Sequence, residues 1–422
     1  MVRRLLAVCL AAAAALSTPV VLSAQEAPDR VIDEVVVTDT PAARDAAEPL
    51  KLPLTDMETP ASTGVVTSDV ITAQGAGVLG DALRNTAGVN VQSGSGVHDL
   101  FYIRGFESLT SGLVLTDGAI EPEVSFYNLY NVERVETLKG PAAFLYGGSP
   151  LSGAVNLVRK TPLFGEHANF GVAYGAFQTS RGTVDVGWSD GEQVALRLNG
   201  LWRDSENYRD DKENSTLAVN PALRWRADEN VTLDLSFEYA ELDYKPDAGQ
   251  PLVNGELPSD VLPSAVLRST SYQSPFDRSD QTTMRARFDL TAELSDSVTL
   301  RNKTYLTQLD WLTDGTLFGE IAANDTGSWE ASRFLTSLDD EQRATGNQLE
   351  VAARFDTGAL SHTVLTGVEV TQTTDAFTLS VSLLPDIDVF SPQETAATPL
   401  YVIEQQGQAV DATTLVAAPY LV

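Results

Sequence analysis

The second half of the chain alternates between apolar and polar residues with a period of two. In residues 231–239 every odd position is apolar, whereas the even positions carry Thr, Asp, Ser and Glu. The same alternation recurs in 194–202, 217–225, 284–294 and 349–355. A β-strand with one apolar and one polar face produces this pattern. These segments exceed the ~5–6 residues of a typical soluble strand and suit tilted membrane strands.

The alternation predicts ten strands, near residues 168–176, 181–189, 193–204, 215–227, 230–243, 282–294, 297–311, 342–356, 361–374 and 413–422. Short turns at 189–192, 227–230, 294–297 and 356–361 alternate with longer links at 204–215, 245–281, 312–341 and 375–412. Short turns on one side and long loops on the other are typical of outer-membrane β-barrels. A soluble β-sandwich or propeller is the alternative. Four tryptophans near predicted strand ends suggest an interfacial girdle: Trp188, Trp202, Trp225 and Trp311.

The N-terminus has the features of a secretory signal peptide. Arg3 and Arg4 precede an apolar run over 5–16, and small residues end at Ala24. We therefore expect residues 1–24 to be removed and the protein to be exported. Residues 25–57 are polar and predict an extended tail.

One β-prone strip interrupts this tail. It comprises Asp33, Glu34, Val35, Val36, Val37 and Thr38. Three consecutive valines favour a short strand, and an unpaired strand on a tether can add to the sheet edge of another protein. Pairing within its own domain is the equally weighted alternative.

Residues 58–162 predict a compact α+β domain of about 100 residues, large enough for one core. Residues 81–85 have a helical pattern that Gly88 ends, and strand-like runs lie at 100–104, 113–115, 132–138 and 154–159. The predicted fold class is therefore a mixed α+β N-terminal domain followed by an antiparallel transmembrane β-barrel.

Composition excludes several functional classes. The 422 residues include 28 Lys and Arg against 58 Asp and Glu, a net charge of −30, which argues against a nucleic-acid partner. One cysteine and three histidines argue against a thiol enzyme or a catalytic zinc site. No apolar run after the leader reaches about 18 residues. We predict no catalytic residues, no directly coordinated metal and no cofactor.

Five ordered motifs in the α+β region carry a family resemblance: Asp-Ala-Leu-Arg-Asn-Thr-Ala-Gly-Val at 81–89, Ile-Arg-Gly-Phe at 103–106, Asn-Val-Glu-Arg-Val-Glu-Thr-Leu-Lys-Gly-Pro-Ala at 131–142, Leu-Tyr-Gly at 145–147 and Gly-Ala-Val-Asn-Leu-Val at 153–158. In order and spacing they resemble the plug motifs of TonB-dependent outer-membrane receptors, most closely the ferric-siderophore class. The strip at 33–38 looks like the TonB box of that family.

The resemblance implies a plug domain inside a barrel of about 22 strands in outer-membrane lipid. It also implies capture of a ferric siderophore outside the cell and uptake driven by the periplasmic partner TonB. Residues 163–422 supply only ten predicted strands, so we expect an N-terminal portion of a receptor with an incomplete barrel. The alternatives are a receptor for vitamin B12, haem, another metal chelate or a saccharide, or a passive porin-like barrel.

The resemblance also assigns candidate site residues. Arg104 and Lys139, with Arg134 and Glu136 nearby, occupy positions where the family locks plug to barrel. By the motif spacing of the family, the plug apices at 92–98 and 118–127 are expected to face the outside. Aromatic and polar side chains at these apices suit bulky iron chelates. The ligand-binding candidates are Gln92, Ser93, His98, Phe126 and Tyr127. Packing of Phe126 and Tyr127 in the plug core is the alternative.

Three further cations lie at lumen-facing positions of the predicted strands. Arg197, Arg285 and Arg287 could attract an anionic ferric chelate, or could simply solvate the barrel wall.

Overall fold

The structure is a computed structural model. It describes residues 62–94, 96–107, 112–122, 126–139, 153–253, 255–261, 267–392, 401–402 and 408–421. The predicted signal peptide, the tail at 25–57 and the strip at 33–38 lie outside the described residues.

The described residues of the N-terminal domain form two small sheets and two short helices. Its elements are β1 (Ser62–Thr67), α1 (Ser68–Gln74), α2 (Leu79–Leu83), β2 (Val89–Gly94), β3 (His98–Ile103), β4 (Phe106–Glu107), β5 (Gly112–Thr116), β6 (Ala119–Ile120), β7 (Val132–Lys139) and β8 (Gly153–Arg159). One sheet has the order β1-β7-β8-β5-β6 and the other β2-β3-β4. Helix α1 ends because Gly75 adopts a left-handed conformation, with φ of 65°.

The core of this domain lies between the helices and the two sheets. Every residue of β8, a central strand of the five-stranded sheet, is buried, so both faces of this strand are covered. Leu79, Leu83, Phe101 and Ile103 pack in one cluster with Val135 and Val155. Leu309 and Trp311 of the larger sheet belong to the same cluster, so the domain is packed against that sheet.

The larger sheet is an antiparallel meander. Its strands are β9 (His167–Tyr174), β10 (Ser180–Ser189), β11 (Val194–Glu206), β12 (Glu213–Arg226), β13 (Val231–Tyr244), β14 (Arg278–Ser295), β15 (Val298–Ala323), β16 (Trp329–Thr357), β17 (Leu360–Asp388), β18 (Tyr401–Val402) and β19 (Gln408–Leu421), with a short helix, α3 (Pro258–Val261), after β13. Strands β9 to β18 pair in chain order, and β19 also pairs with β17. Among the described strands, β9 pairs only with β10, so the described strands form an open sheet.

The two faces of this sheet confirm the predicted alternation and fold class. Leu196, Trp202, Leu235 and Phe237 are exposed on the outer face. The inner face instead buries polar residues, including Asn199, which is completely covered. An apolar outer face and a polar inner face are expected of a sheet that contacts lipid on the outside. In the described part of the chain, no helix is long and apolar enough to cross a membrane.

Two of the predicted long loops are wrong in part. Strand β15 continues to Ala323 and β16 starts at Trp329, so the link predicted at 312–341 is a hairpin with a short turn. Strand β17 likewise runs to Asp388, into the link predicted at 375–412. Outer-face positions here include paired Asp310 and Glu341. With polar residues on both faces, the apolar alternation disappears although the backbone ladder continues.

The predicted tryptophan girdle holds for three of its four members. Trp188, Trp202 and Trp225 are 45–51% exposed on the outer face. Trp311 is 3% exposed and packs against the N-terminal domain, so its assignment to the girdle is wrong. The odd positions of β15 face inward, and the strand extends well beyond residue 311.

Candidate functional site

The inner face of the large sheet holds the N-terminal domain through a buried ion-pair network. At its centre, Arg285 on β14 contacts Glu121 of the N-terminal domain, with 2.6 Å between Nη2 and Oε2 and 3.0 Å between Nε and Oε1. Arg285 also places Nη1 3.1 Å from Oε2 of Glu238 on β13. The Glu121 side chain is 1% exposed and that of Glu238 6%. Charges buried to this degree depend on one another for stabilisation.

Glu238 also accepts hydrogen bonds from the N-terminal domain. The Tyr130 hydroxyl donates to Oε1 at 2.9 Å, and Asn131 Nδ2 donates to the same oxygen at 3.0 Å. Arg159 reaches Glu238 at 3.5 Å while its Nε lies 2.7 Å from Asp117 Oδ2. Burial, with the adjacent Glu238, raises the pKa of the Tyr130 phenol, so this group stays protonated and donates.

A second carboxylate holds the segment that links the two parts of the chain. Asp185 on β10 accepts hydrogen bonds from both Nε and Nη2 of Arg197, each at 2.8 Å. Lys160 Nζ lies 3.0 Å from Asp185, and His167 Nε2 lies 3.1 Å from it. Arg197 Nη1 also donates to the Thr161 carbonyl at 2.9 Å. The linker is therefore fixed to the wall at several points.

Three of the four predicted lock residues make side-chain contacts inside the N-terminal domain. Arg134 Nε lies 2.7 Å from Glu136 Oε1, and Asn156 Nδ2 donates to Glu136 Oε2 at 3.0 Å. Lys139 Nζ donates to the Ala87 carbonyl, and desolvation together with nearby Arg104 lowers its pKa. Arg104 is exposed and has φ of 52°. Their role as a lock stays a prediction.

Sequence reasoning missed most of the residues that join the two parts. Asp117, Glu121, Arg159 and Lys160 supply the charges on the N-terminal side. Strand alternation placed Arg197, Arg285 and Arg287 on the inner face, and the structure confirms this orientation. In the structure Arg197 pairs with Asp185, Arg285 with Glu121 and Arg287 with Asp117. These three cations therefore have carboxylate partners. Among these residues only Asp117 belongs to a sequence signal, the Asp-Gly pair at 117–118, which is typical of a turn and does not indicate its ion-pair partners.

The ligand-binding candidates divide into two groups. Gln92 and Ser93 are exposed and His98 is half-buried, all three in the β2–β3 hairpin. Burial lowers the pKa of His98, which favours the neutral imidazole. Phe126 makes an edge-to-face contact with Tyr244, with 5.4 Å between ring centroids. Tyr127 lies in the core and its hydroxyl donates to the Pro122 carbonyl at 3.3 Å, which fits the packing alternative. Ligand binding by all five stays a prediction.

The hairpin apex is covered by the long link that follows β13. The Tyr244 hydroxyl donates to the Val97 carbonyl, and Gly96 lies directly against the backbone of Asp247. Arg209 Nε in turn lies 2.6 Å from Asp247 Oδ1. Hairpin and link therefore form one contact surface at the long-loop end of the wall.

None of the described residues forms a group of three or more His, Cys, Asp or Glu side chains suited to a metal ion. Iron is therefore considered below only as part of a transported chelate.

Residues 55–154 match the family model of the TonB-dependent receptor plug domain. The catecholate siderophore receptor Fiu of Escherichia coli K12 is 28% identical over 393 residues, which cover 87% of this chain and 51% of that protein. The chain is a homologue of the TonB-dependent siderophore receptors. The ferrioxamine receptor of Yersinia enterocolitica is 28% identical over 353 residues, which cover 79% of this chain and 46% of that receptor.

Solved structures of TonB-dependent receptors show the same fold. The closed-form crystal structure of Fiu from E. coli K12 has a TM-score of 0.80 at 26% identity, covering 90% of this chain and 55% of that one. The receptor PiuA from Acinetobacter baumannii has a TM-score of 0.77 at 23% identity, covering 90% and 57%. The chain thus spans about half the length of the relatives it matches.

The similarity to these receptors identifies the N-terminal domain and the large sheet. The N-terminal domain contains the plug, and strands β9 to β19 correspond to part of the receptor wall. The network around Arg285 and Glu238 is therefore a plug–wall interface. The predicted domain limits at 58–162 and 163–422 stay predictions.

Proposed function

We propose that this chain belongs to an outer-membrane receptor that binds a ferric siderophore and imports it with energy from TonB. The carrying observation is the plug docked on the polar inner face of the wall through buried ion pairs centred on Arg285. A plug fastened in this way supports gated transport over a passive pore. The names of its relatives, catecholate siderophore and ferrioxamine receptors, support the ligand class.

The proposed mechanism needs binding and movement but no covalent chemistry. A ferric siderophore binds at the long-loop end, where the β2–β3 hairpin meets the link after β13. TonB then pulls on the strip at 33–38, which has added as a strand to the edge of a TonB sheet. Because the plug–wall contacts around Arg285, Glu238 and Asp185 are charged and hydrogen-bonded, water can replace these contacts as the plug shifts. An apolar interface would lack that replacement.

Deletion of residues 33–38 tests the coupling. We expect loss of energy-dependent uptake of an iron-55 ferric siderophore, with surface binding retained, because the strip lies outside the ligand site. Deletion of residues 43–48, also within the predicted tail, is the matched control and should preserve uptake. Uptake that survives the first deletion would refute the TonB-box role.

Two further measurements separate the other candidates. Failure of the intact protein to bind any ferric siderophore would shift the assignment to another ligand, such as vitamin B12, haem or a saccharide. Steady ion conductance of the purified protein in lipid bilayers without an energy source would indicate a passive pore.

A further inference from the structure

Two arginines lie directly opposite each other on the inner face of the wall. Arg181 on β10 and Arg203 on β11 are register partners, so their side chains leave adjacent backbone positions on the same face. The Cβ atoms of such a pair are about 4.5–5.5 Å apart. Both side chains are half-buried. Like charges placed in this way repel each other, and the arrangement lowers stability unless a negative group accompanies it.

The described inner face around this pair has no carboxylate. The directly paired positions on the adjacent strands are Ala173 on β9 and Thr216 on β12. The flanking rows of the same face are also free of Asp and Glu, and they contain Gly171, Thr183, Leu201, Ala218, Ala240, Ser205, Asn214 and Tyr244. Asp185 of β10 is four residues away from Arg181, about 13 Å along the strand. Its carboxylate is already paired with Arg197 and Lys160.

The two arginines differ from other arginines of the inner face, which have carboxylate partners: Arg197 with Asp185, Arg224 with Asp234 and Arg285 with Glu121. Within the described ranges, neither Arg181 nor Arg203 makes an ion pair or a side-chain hydrogen bond. Asp204 and Glu206 are near in sequence but are exposed on the opposite face of β11. The Nε atom of Arg203 is buried without an acceptor among these residues. A buried cationic donor in this state points to an ion or water bound beside it.

The plug surface that faces Arg203 is bare backbone. Nη1 of Arg203 lies 3.6 Å from the position that a Cβ would take on Gly77, between α1 and α2. Because Gly77 has no side chain, it leaves space beside the guanidinium. Asp81 of α2 is the acidic residue of this segment, but its Oδ2 accepts from the amides of Gly77 at 3.2 Å and Val78 at 3.5 Å. Asp81 therefore caps the helix and makes no ion pair with either arginine of the wall.

We propose that Arg181 and Arg203 bind a small dianionic oxyanion, such as phosphate, where the wall meets the α1–α2 segment of the plug. Planar guanidinium groups hold the oxygens of such an anion through pairs of N–H donors, and two adjacent groups can share one dianion. The bound anion cancels the repulsion between the two cations. It also strengthens plug docking in a region that lacks ion pairs between side chains. The site is separate from the Arg285 network and does not depend on which solute the receptor imports.

Calorimetric titration with inorganic phosphate tests the site in the full chain, purified in detergent and kept at constant ionic strength with chloride. We expect saturable binding that chloride does not replace. Loss of one charged hydrogen-bonding partner should weaken phosphate binding by about tenfold or more in Arg203→Gln and in Arg181→Gln. Arg203→Lys should weaken it less, since the charge remains although the planar fork is lost. The matched control is Arg343→Gln, which removes an exposed cation from β16 and should leave the affinity unchanged.

Modification of arginines by phenylglyoxal, mapped by mass spectrometry, locates the site in the wild-type protein. Phosphate should slow the modification of Arg181 and Arg203 but not that of Arg343. This measurement needs no substitution, so it decides the question even where a variant fails to fold.

Three results would overturn the proposal: no phosphate binding by the wild-type protein, wild-type affinity in both glutamine variants, or equal protection of Arg343. Asp81→Asn supplies a further test. We expect its phosphate affinity to match that of the wild type. A tenfold gain in affinity would show that Asp81 already neutralises the arginines, and the anion site would then be refuted.

Discussion

Arg285 of the wall and Glu121 of the plug form a two-point ion pair across 164 residues of sequence, with 2.6 Å between Nη2 and Oε2. Glu238 completes the group from the neighbouring strand, 3.1 Å from the same guanidinium. Two buried carboxylates therefore share this arginine, and Glu238 has Arg159 as a second cation at 3.5 Å. Any movement of the plug away from β14 has to separate these charges and let water reach them.

Replacing Arg285 should destabilise the docked plug. In Arg285→Gln, Glu121 stays buried without its cation and Glu238 keeps only the longer contact with Arg159, so we expect a loss of about 3 kcal/mol in the free energy of unfolding. Urea-induced unfolding of the detergent-solubilised protein measures this loss. Arg278→Gln removes an exposed pair with Asp314 and should cost about 1 kcal/mol or less. Equal effects of the two substitutions would contradict the central role of Arg285.

Gly96 should be required where the plug hairpin meets the wall. Its φ is +73°, and a Cβ there would overlap the backbone of Asp247. Gly88 has a similar φ of +76° but open space around it. Both Gly→Ala variants carry a backbone cost of about 1 kcal/mol. Only Gly96→Ala also displaces the link after β13, which hydrogen exchange of residues 245–253 would detect. Equal exchange in both variants would be inconsistent with this contact.

Trp311 should contribute to plug docking, unlike the outer tryptophans. It packs in the plug core cluster, and its Nε1 donates to Ser279 Oγ at 2.9 Å. Trp311→Ala should cost about 3–5 kcal/mol through the cavity it leaves. Trp225→Ala, on the exposed outer face, should cost less than about 1 kcal/mol in detergent. Thermal unfolding followed by circular dichroism compares the two, and similar losses would argue against inward packing of Trp311.

Asp99 should make plug stability depend on pH. Burial is the main cause that raises its pKa to about 6, against an ordinary value of 3.8. The folded plug therefore binds a proton that the unfolded chain releases between about pH 4 and 6, so this group lowers stability as pH rises through that window. Asp99→Asn should remove this decline. Unfolding at pH 4, 5, 6 and 7 tests it, with exposed Asp69→Asn as control; an unchanged decline in Asp99→Asn would contradict the assignment.

The sequence by itself determined where the ten predicted strands lie and which face most of their residues take. Apolar alternation located all ten predicted strands and directed Arg285 and Arg287 inward, because strand periodicity is a local property that repeats every two residues. The motif order likewise identified the plug. Alternation became uninformative where both faces are polar, as at Asp310 and Glu341, so the ends of β15 and β16 were not predictable.

Only the tertiary structure decided which residues meet across the interface. Nothing local in the sequence pairs Arg285 with Glu121, nor Lys160 and Arg197 with one carboxylate, Asp185. The same holds for Trp311, which an end-of-strand rule assigned to the lipid boundary but which docking buries against the plug. Contacts of this kind depend on how two separately folded surfaces fit together, and that fit is set by distances between elements far apart along the chain.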